Sequence, residues 1–136
     1  MPKKNRADAE AIQDSAAIQE VIDKFVEGIR SLNPDLMCSV FHPEAVSLSM
    51  TSSGICVESA DSWTEILGKA KSDSSHLFNE KFVADTLSID VVGAVASAKV
   101  QWIFQSCKIV DFYNLIRTEI GWLIANQVYH TTRLEK

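Results

Sequence analysis

The feature that most constrains this chain is a run of four long stretches near its C-terminus, rich in β-branched and aromatic residues and separated by only short breaks. They are Phe82 to Val92, Val95 to Gln105, Ile109 to Thr118 and Trp122 to Thr132, with Gly93 and Gly121 at two of the turns. Breaks this short leave no room for crossover helices, so the stretches predict four consecutive antiparallel strands. A meander of that length needs a cover for its apolar face.

The cover is written upstream. From Asp8 to Leu32 apolar residues including Ile12, Ile18, Val21, Ile22, Phe25, Val26 and Ile29 recur at three- and four-residue steps, with charged residues between them, which predicts a long amphipathic helix. Asn33-Pro34 stops it and starts a second, short helix from Pro34 to Phe41, since asparagine suits a cap and proline the first turn. Ala45 to Met50, a Thr51–Gly54 turn and Ile55 to Glu58 predict a small hairpin. Ser62 and Glu65 have capping-box spacing, and Trp63, Ile66, Leu67 and Ala70 give the stripe of a third helix ending near Lys71. The expected class is therefore α+β: three helices packed in a strongly curved, mostly antiparallel sheet, as one domain over residues 1–136 with 1–8 a ragged extension.

Side chains alternate along a strand, so the two faces of the sheet can be listed. In the second long strand Ala96, Ala98, Val100, Trp102 and Phe104 form one wholly apolar face. With the last hairpin turning near Glu119 and Ile120, Arg117 lies opposite Trp122. Unbroken alternation then places Asp111, Tyr113 and Leu115 on the inner face with Trp122, Ile124, Asn126, Val128 and His130. The back carries Phe112, Asn114, Ile116, Leu123, Ala125, Gln127 and Tyr129, too apolar for a surface left to water, and predicts a homodimer formed sheet to sheet.

At 136 residues, nearly half of them apolar, the chain can bury a core without a staple. A net charge of -5 with scattered basic residues offers no footprint for nucleic acid. No apolar run is long enough to span a bilayer, so no membrane partner is expected. The three cysteines, Cys38, Cys56 and Cys107, have no metal or redox spacing and are expected as reduced, buried thiols in a cytoplasmic protein.

The element order resembles the nuclear transport factor 2-like superfamily, which includes ketosteroid isomerase and scytalone dehydratase. Phe41-His42-Pro43-Glu44-Ala45 is similar to a motif that follows the second helix in many members. Val110 to Arg117, then Gly121 to Asn126, then Tyr129-His130, resembles the C-terminal pattern of a lumazine-binding-like branch. The resemblance implies a cystatin-like, half-open cone with an internal pocket. Function is grafted onto that pocket differently in each branch.

Asp111 and His130 share the expected inner face and form the candidate acid/base pair of a cofactor-independent lyase or isomerase. The bland alternative makes them, with Tyr113 and Asn126, a buried polar network or a polar rim that orients the strands. Phe25, Trp63, Trp102, Phe104, Tyr113, Trp122 and Asn126 are the candidate pocket lining for a small apolar or aromatic ligand, although core packing is the commoner use of such rings. His42 is expected to cap a helix end, and His76 to be solvated in a Ser/Asp loop. Three histidines so far apart predict no metal site, and no cofactor is expected. Phe25 and Ile29 stand where the resemblance to ketosteroid isomerase would require a tyrosine, which argues against steroid isomerisation. A dehydratase-like set would be His42, Asp111 and His130. Three functions remain: a ligand-binding domain, a lyase or isomerase, and a dimeric interaction module without a ligand.

Overall fold

Helices precede strands, and the last strand returns to pair with the first. A computed structural model describes residues 6–134, in the order α1 (Arg6–Arg30), α2 (Pro34–Ser39), β1 (Phe41–Thr51), β2 (Gly54–Ser59), α3 (Ser62–Ser72), β3 (Phe82–Val92), β4 (Val95–Phe104), β5 (Cys107–Thr118) and β6 (Gly121–Arg133). A single 3-10 turn at Leu77–Asn79 links α3 to β3. The strands form one curved, unclosed sheet in the order β2-β1-β6-β5-β4-β3, antiparallel except where β1 runs parallel to β6. This is the α+β cone that the pattern predicts.

The long strands fall within two residues of their expected bounds because apolar alternation and short turns both fix them. Gly121 has φ 112°, a left-handed conformation that suits glycine, and Thr118 closes the same turn by donating its hydroxyl to the Gly121 carbonyl at 2.7 Å. Asn33 caps α2 as expected, its side-chain oxygen accepting from the Leu36 N–H at 3.2 Å.

Other local expectations fail for physical reasons. Helix α1 begins at Arg6, inside the expected ragged extension, whose first five residues lie outside the described ones. Ile12 is exposed, because Asp14 faces the sheet and a residue two positions away lies about 200° round the helix. The apolar stripe therefore begins at Ile18. Phe41 belongs to β1 and not to α2, since β6 pulls the chain into the sheet early: the Ile124 N–H donates to the Val40 carbonyl at 2.8 Å. The capping box is not made. Ser62 is already helical, Asp61 is the cap, and the Ser62 hydroxyl donates back to the Ser59 carbonyl at 2.7 Å.

The core lies between the concave face of the sheet and the helices. Its hub is Phe25 on α1, whose ring meets Phe41, Trp63, Trp102 and Tyr113 edge-on at centroid distances of 5.4–5.7 Å. Edge-to-face contacts of this kind each add about 1 kcal/mol beyond burial. Gly28 lets the second helix close on the first, for a Cβ there would meet the Met37 side chain at 2.7 Å.

The decisive departure is in β6. Ile124 pairs with Leu115, but the next pair is Asn126 with Asn114, so Ala125 is an extra residue. A bulge of this kind reverses the alternation of everything beyond it. Trp122 and Ile124 face inward as expected, and beyond Ala125 the inward residues are Gln127, Tyr129 and Thr131. Asn126, Val128 and His130 turn outward. Asn126 accepts a hydrogen bond from the outward-facing Asn114 at 2.8 Å, and Val128 and His130 are exposed.

Candidate functional site

The concave side of the sheet leaves a cavity of about 250 Å³ between β1, β4, β5 and β6 and the helices that cover them. Its walls are rings and aliphatic chains: Phe25 and Ile29 from α1, Trp63 and Ile66 from α3, Leu77 and Phe78 from the 3-10 turn, and Trp102, Phe104 and Ile109 from the sheet. The Trp102 and Phe104 ring planes lie within 10° of each other at a centroid distance of 6.4 Å. Polar groups are confined to the strands and the outer end: Ser47, Glu58, His76, Asp111, Gln127, Tyr129 and Thr131. A second concavity of about 730 Å³ lies on the other side of Phe78 and Phe104, lined by Arg30, Glu80, Lys81 and Phe82 among others. It lacks any buried polar side chain, so the inner cavity is the better candidate.

Asp111 is the chemical centre of the cavity. It is 3% exposed and accepts two hydrogen bonds of 2.8 Å, from the Tyr113 hydroxyl and from the Gln127 side-chain amide. The register explains both: Tyr113 follows Asp111 by two residues on the inner face of β5, and Gln127 is the cross-strand partner of Tyr113. Burial raises the Asp111 carboxyl from 3.8 to about 6, against the lowering effect of Gln127, Tyr113 and the Trp102 N–H. The Tyr113 hydroxyl is pushed well above its ordinary value, first by burial and then by the adjacent Asp111 charge.

Two buried polar atoms beside this carboxyl have no hydrogen-bond partner among the described residues: Trp102 Nε1 and Gln127 Oε1. Trp102 lies close enough to hold down the Asp111 and Tyr113 values but makes no well-aligned bond to either. Buried polar groups are nearly always paired, so these two mark an unfinished network.

Of the residues expected to line a pocket, Phe25, Trp63, Trp102 and Phe104 meet there with Asp111. Tyr113 lies behind Asp111 and does not reach the cavity surface, being wholly buried under Phe25. Trp122 is at the far end of the sheet, where its indole N–H donates to Asp14 at 3.1 Å beside an Asp14–Arg117 ion pair. Asn126 and His130 are on the opposite face, so the Asp111–His130 pair is not assembled, and neither is a His42–Asp111–His130 set. His42 turns back on its own strand, its Nδ1 accepting from the Glu44 N–H at 3.0 Å. His76, expected in solvent, is half-buried: its Nδ1 accepts from the Phe78 N–H at 3.3 Å, and its ring joins the cavity wall.

The bulge also changes the outer face. Gln127 and Tyr129 leave it, Leu123 is buried, and Phe112, Asn114, Ile116 and Ala125 remain only partly covered or exposed. Cys107 is buried, but Cys38 and Cys56 are only half-buried, and all three thiols are free. Among the described residues no group of three or more His, Cys, Asp and Glu side chains could hold a metal ion. Among them, too, no helix is long and apolar enough to cross a membrane.

The cone, with its last strand returning to the first, is the fold of NTF2-like proteins. The structure is similar to an NTF2-like protein of unknown function from Shewanella baltica, with a TM-score of 0.78 and 22% identity, covering 89% of this chain and 95% of that one. It is also similar to a domain of unknown function with a cystatin-like fold from Nostoc punctiforme, with a TM-score of 0.70 and 13% identity, covering 91% of this chain and 79% of that one. A ketosteroid isomerase-like protein from Erwinia carotovora atroseptica superposes with a TM-score of 0.64 at 10% identity, covering 89% of this chain and 96% of that one. Identities this low establish the fold and no chemistry. No curated protein matches the chain. Residues 13–130 match the family described as "Putative lumazine-binding", and the chain belongs to that family.

Proposed function

We propose that this is a small-molecule-binding domain whose ligand occupies the inner cavity, flat against Trp102 and Phe104 with its polar edge at Asp111. The observation that carries the reading is the coincidence of a ring-lined cavity with two unpartnered polar atoms on side chains that line it. Lumazine, the molecule named in the family's description, is a fused two-ring compound and a suitable first probe. A cavity of about 250 Å³ is below the range of about 300–1,000 Å³ usual for drug-sized ligands, which favours one or two fused rings over a steroid.

The protein works on this reading as a homodimer, joined through the outer sheet face with Phe112, Ile116 and Val128 at its centre. The support is that Phe112 is 51% and Val128 46% exposed, on neighbouring strands in register with each other. Three free thiols fit a reducing compartment such as the cytoplasm. Without His130, the lyase or isomerase reading has lost its acid/base partner, and binding takes precedence.

Calorimetric titration with lumazine tests the binding reading, with sedimentation of the same sample reporting the oligomeric state. Saturable binding is expected, weakened at least tenfold by Ile109→Phe, which fills the cavity from β5. Absence of saturable heat with lumazine and a panel of other two-ring compounds would remove the reading, and a monomer at tens of micromolar would remove the dimer.

A further inference from the structure

We propose that the cavity wall at Trp102 and Gln127 recognises a lactam-type edge, a ring N–H beside a carbonyl oxygen, on an uncharged planar heterocycle. The inference rests on the cavity being the ligand site and adds which chemical edge it takes.

The two orphaned atoms are of opposite kind. Trp102 Nε1 can only donate, and Gln127 Oε1 can only accept. Both belong to side chains almost wholly buried, at 2% and 3% exposure, that line the same cavity and converge on the same carboxyl. Asp111 cannot satisfy Gln127 Oε1, because its own oxygens already accept from Gln127 Nε2 and the Tyr113 hydroxyl. The amide orientation is thereby set: Nε2 faces the carboxylate and Oε1 is left for something else. A ligand that completes the network supplies an acceptor to the indole and a donor to the amide oxygen, and a lactam carries that pair on one rigid edge.

Charge narrows the class further. An ionised Asp111 beside the two atoms repels a carboxylate or phosphate brought to the same place, and among the described residues the cavity lining contains no lysine or arginine to offset that repulsion. The edge is therefore neutral. The ring walls set flatness, since Trp63, Phe78, Trp102 and Phe104 offer faces and edges but little depth.

Three compounds on one two-ring skeleton separate this inference from the cavity reading beneath it: quinoxalinone, which has the lactam edge, its N-methyl derivative, which lacks the N–H, and quinoxaline, which lacks both. Titrated into the wild-type protein, quinoxalinone is expected to bind about tenfold more tightly than either of the others, the size of one to two hydrogen bonds. Trp102→Phe keeps a ring and loses the N–H, and Gln127→Met keeps the length and loses the acceptor. Each is expected to reduce the preference for quinoxalinone over quinoxaline, read as a ratio within the same variant, below about threefold. Equal affinity for all three compounds overturns the inference and leaves the cavity reading standing, whereas no binding of any of them overturns both. The ligand-side comparison needs no variant, so it decides even if a substitution unfolds the protein.

Discussion

Strands β4 and β6 lie either side of β5 in one sheet, yet they behave differently. Along β4 every second residue from Ala96 to Phe104 is buried, without interruption. Along β6 the rule holds to Ile124, breaks at Ala125 and resumes in the opposite phase. The lesson is that one extra residue chooses which polar side chains a cavity receives. Regular alternation would have delivered Asn126 and His130; the bulge delivers Gln127 and Tyr129.

The widest test of that contrast uses two aliphatic residues of β6 that unbroken alternation would put on one face. Ile124 is 0% exposed and Val128 is 46% exposed. Ile124→Ala is expected to lower unfolding stability by about 3–4 kcal/mol, as large-to-small changes in a closed core do. Val128→Ala, measured at a dilution that dissociates the proposed dimer, is expected to stay within about 0.5 kcal/mol as a surface change. Urea denaturation of the two variants reads the difference directly. Similar large losses for both would mean that β6 has no change of phase.

A second test sharpens what the bulge brings to Asp111. Its carboxyl is raised from 3.8 to about 6, so between those values the folded protein holds a proton that the unfolded chain has released. Stability from this group is therefore greatest below pH 3.8, falls as pH rises through 6, and is level above. The gap amounts to about 3 kcal/mol. The measurement is the difference between wild type and Asp111→Asn across pH 4–7, which isolates this one group. The variant should gain on the wild type steadily up to pH 6. A difference that stays flat would mean that the Asp111 carboxyl is not held in a dry site.

How much of this could be read from the residues alone follows the same division. The strands, the three helices and the inward face of β4 were legible because period and turn chemistry agree there, and Phe25, Trp63, Trp102, Phe104 and Asp111 came with them. Gln127 was not legible, because unbroken alternation from Trp122 puts it on the outer face and nothing in the pattern counts a bulged residue. The only trace is Trp122-Leu123-Ile124-Ala125, four apolar residues in a row where alternation should have shown polar ones. His76 was hidden for another reason: its neighbours Ser72 to Ser75 look like solvent, and only the 3-10 turn that it caps carries it and Phe78 to the cavity. Trp122 had the right face but the wrong end, which face lists cannot distinguish.

The smallest expected effect is also the most specific to the contrast. His130 pairs with Val110 on the outer face, is exposed, and is not among the residues that line the cavity. His130→Ala should therefore change unfolding stability by no more than about 0.5 kcal/mol and leave lumazine affinity as it was. Gln127→Met, three residues earlier on the same strand, should weaken a ligand that donates to its amide oxygen while leaving His130 untouched. In the unbulged register the two outcomes trade places, for His130 would then look inward at Asp111 and Gln127 would look out. A tenfold loss of affinity in His130→Ala, with none in Gln127→Met, would thus return the acid/base pair to the cavity and the amide to the surface.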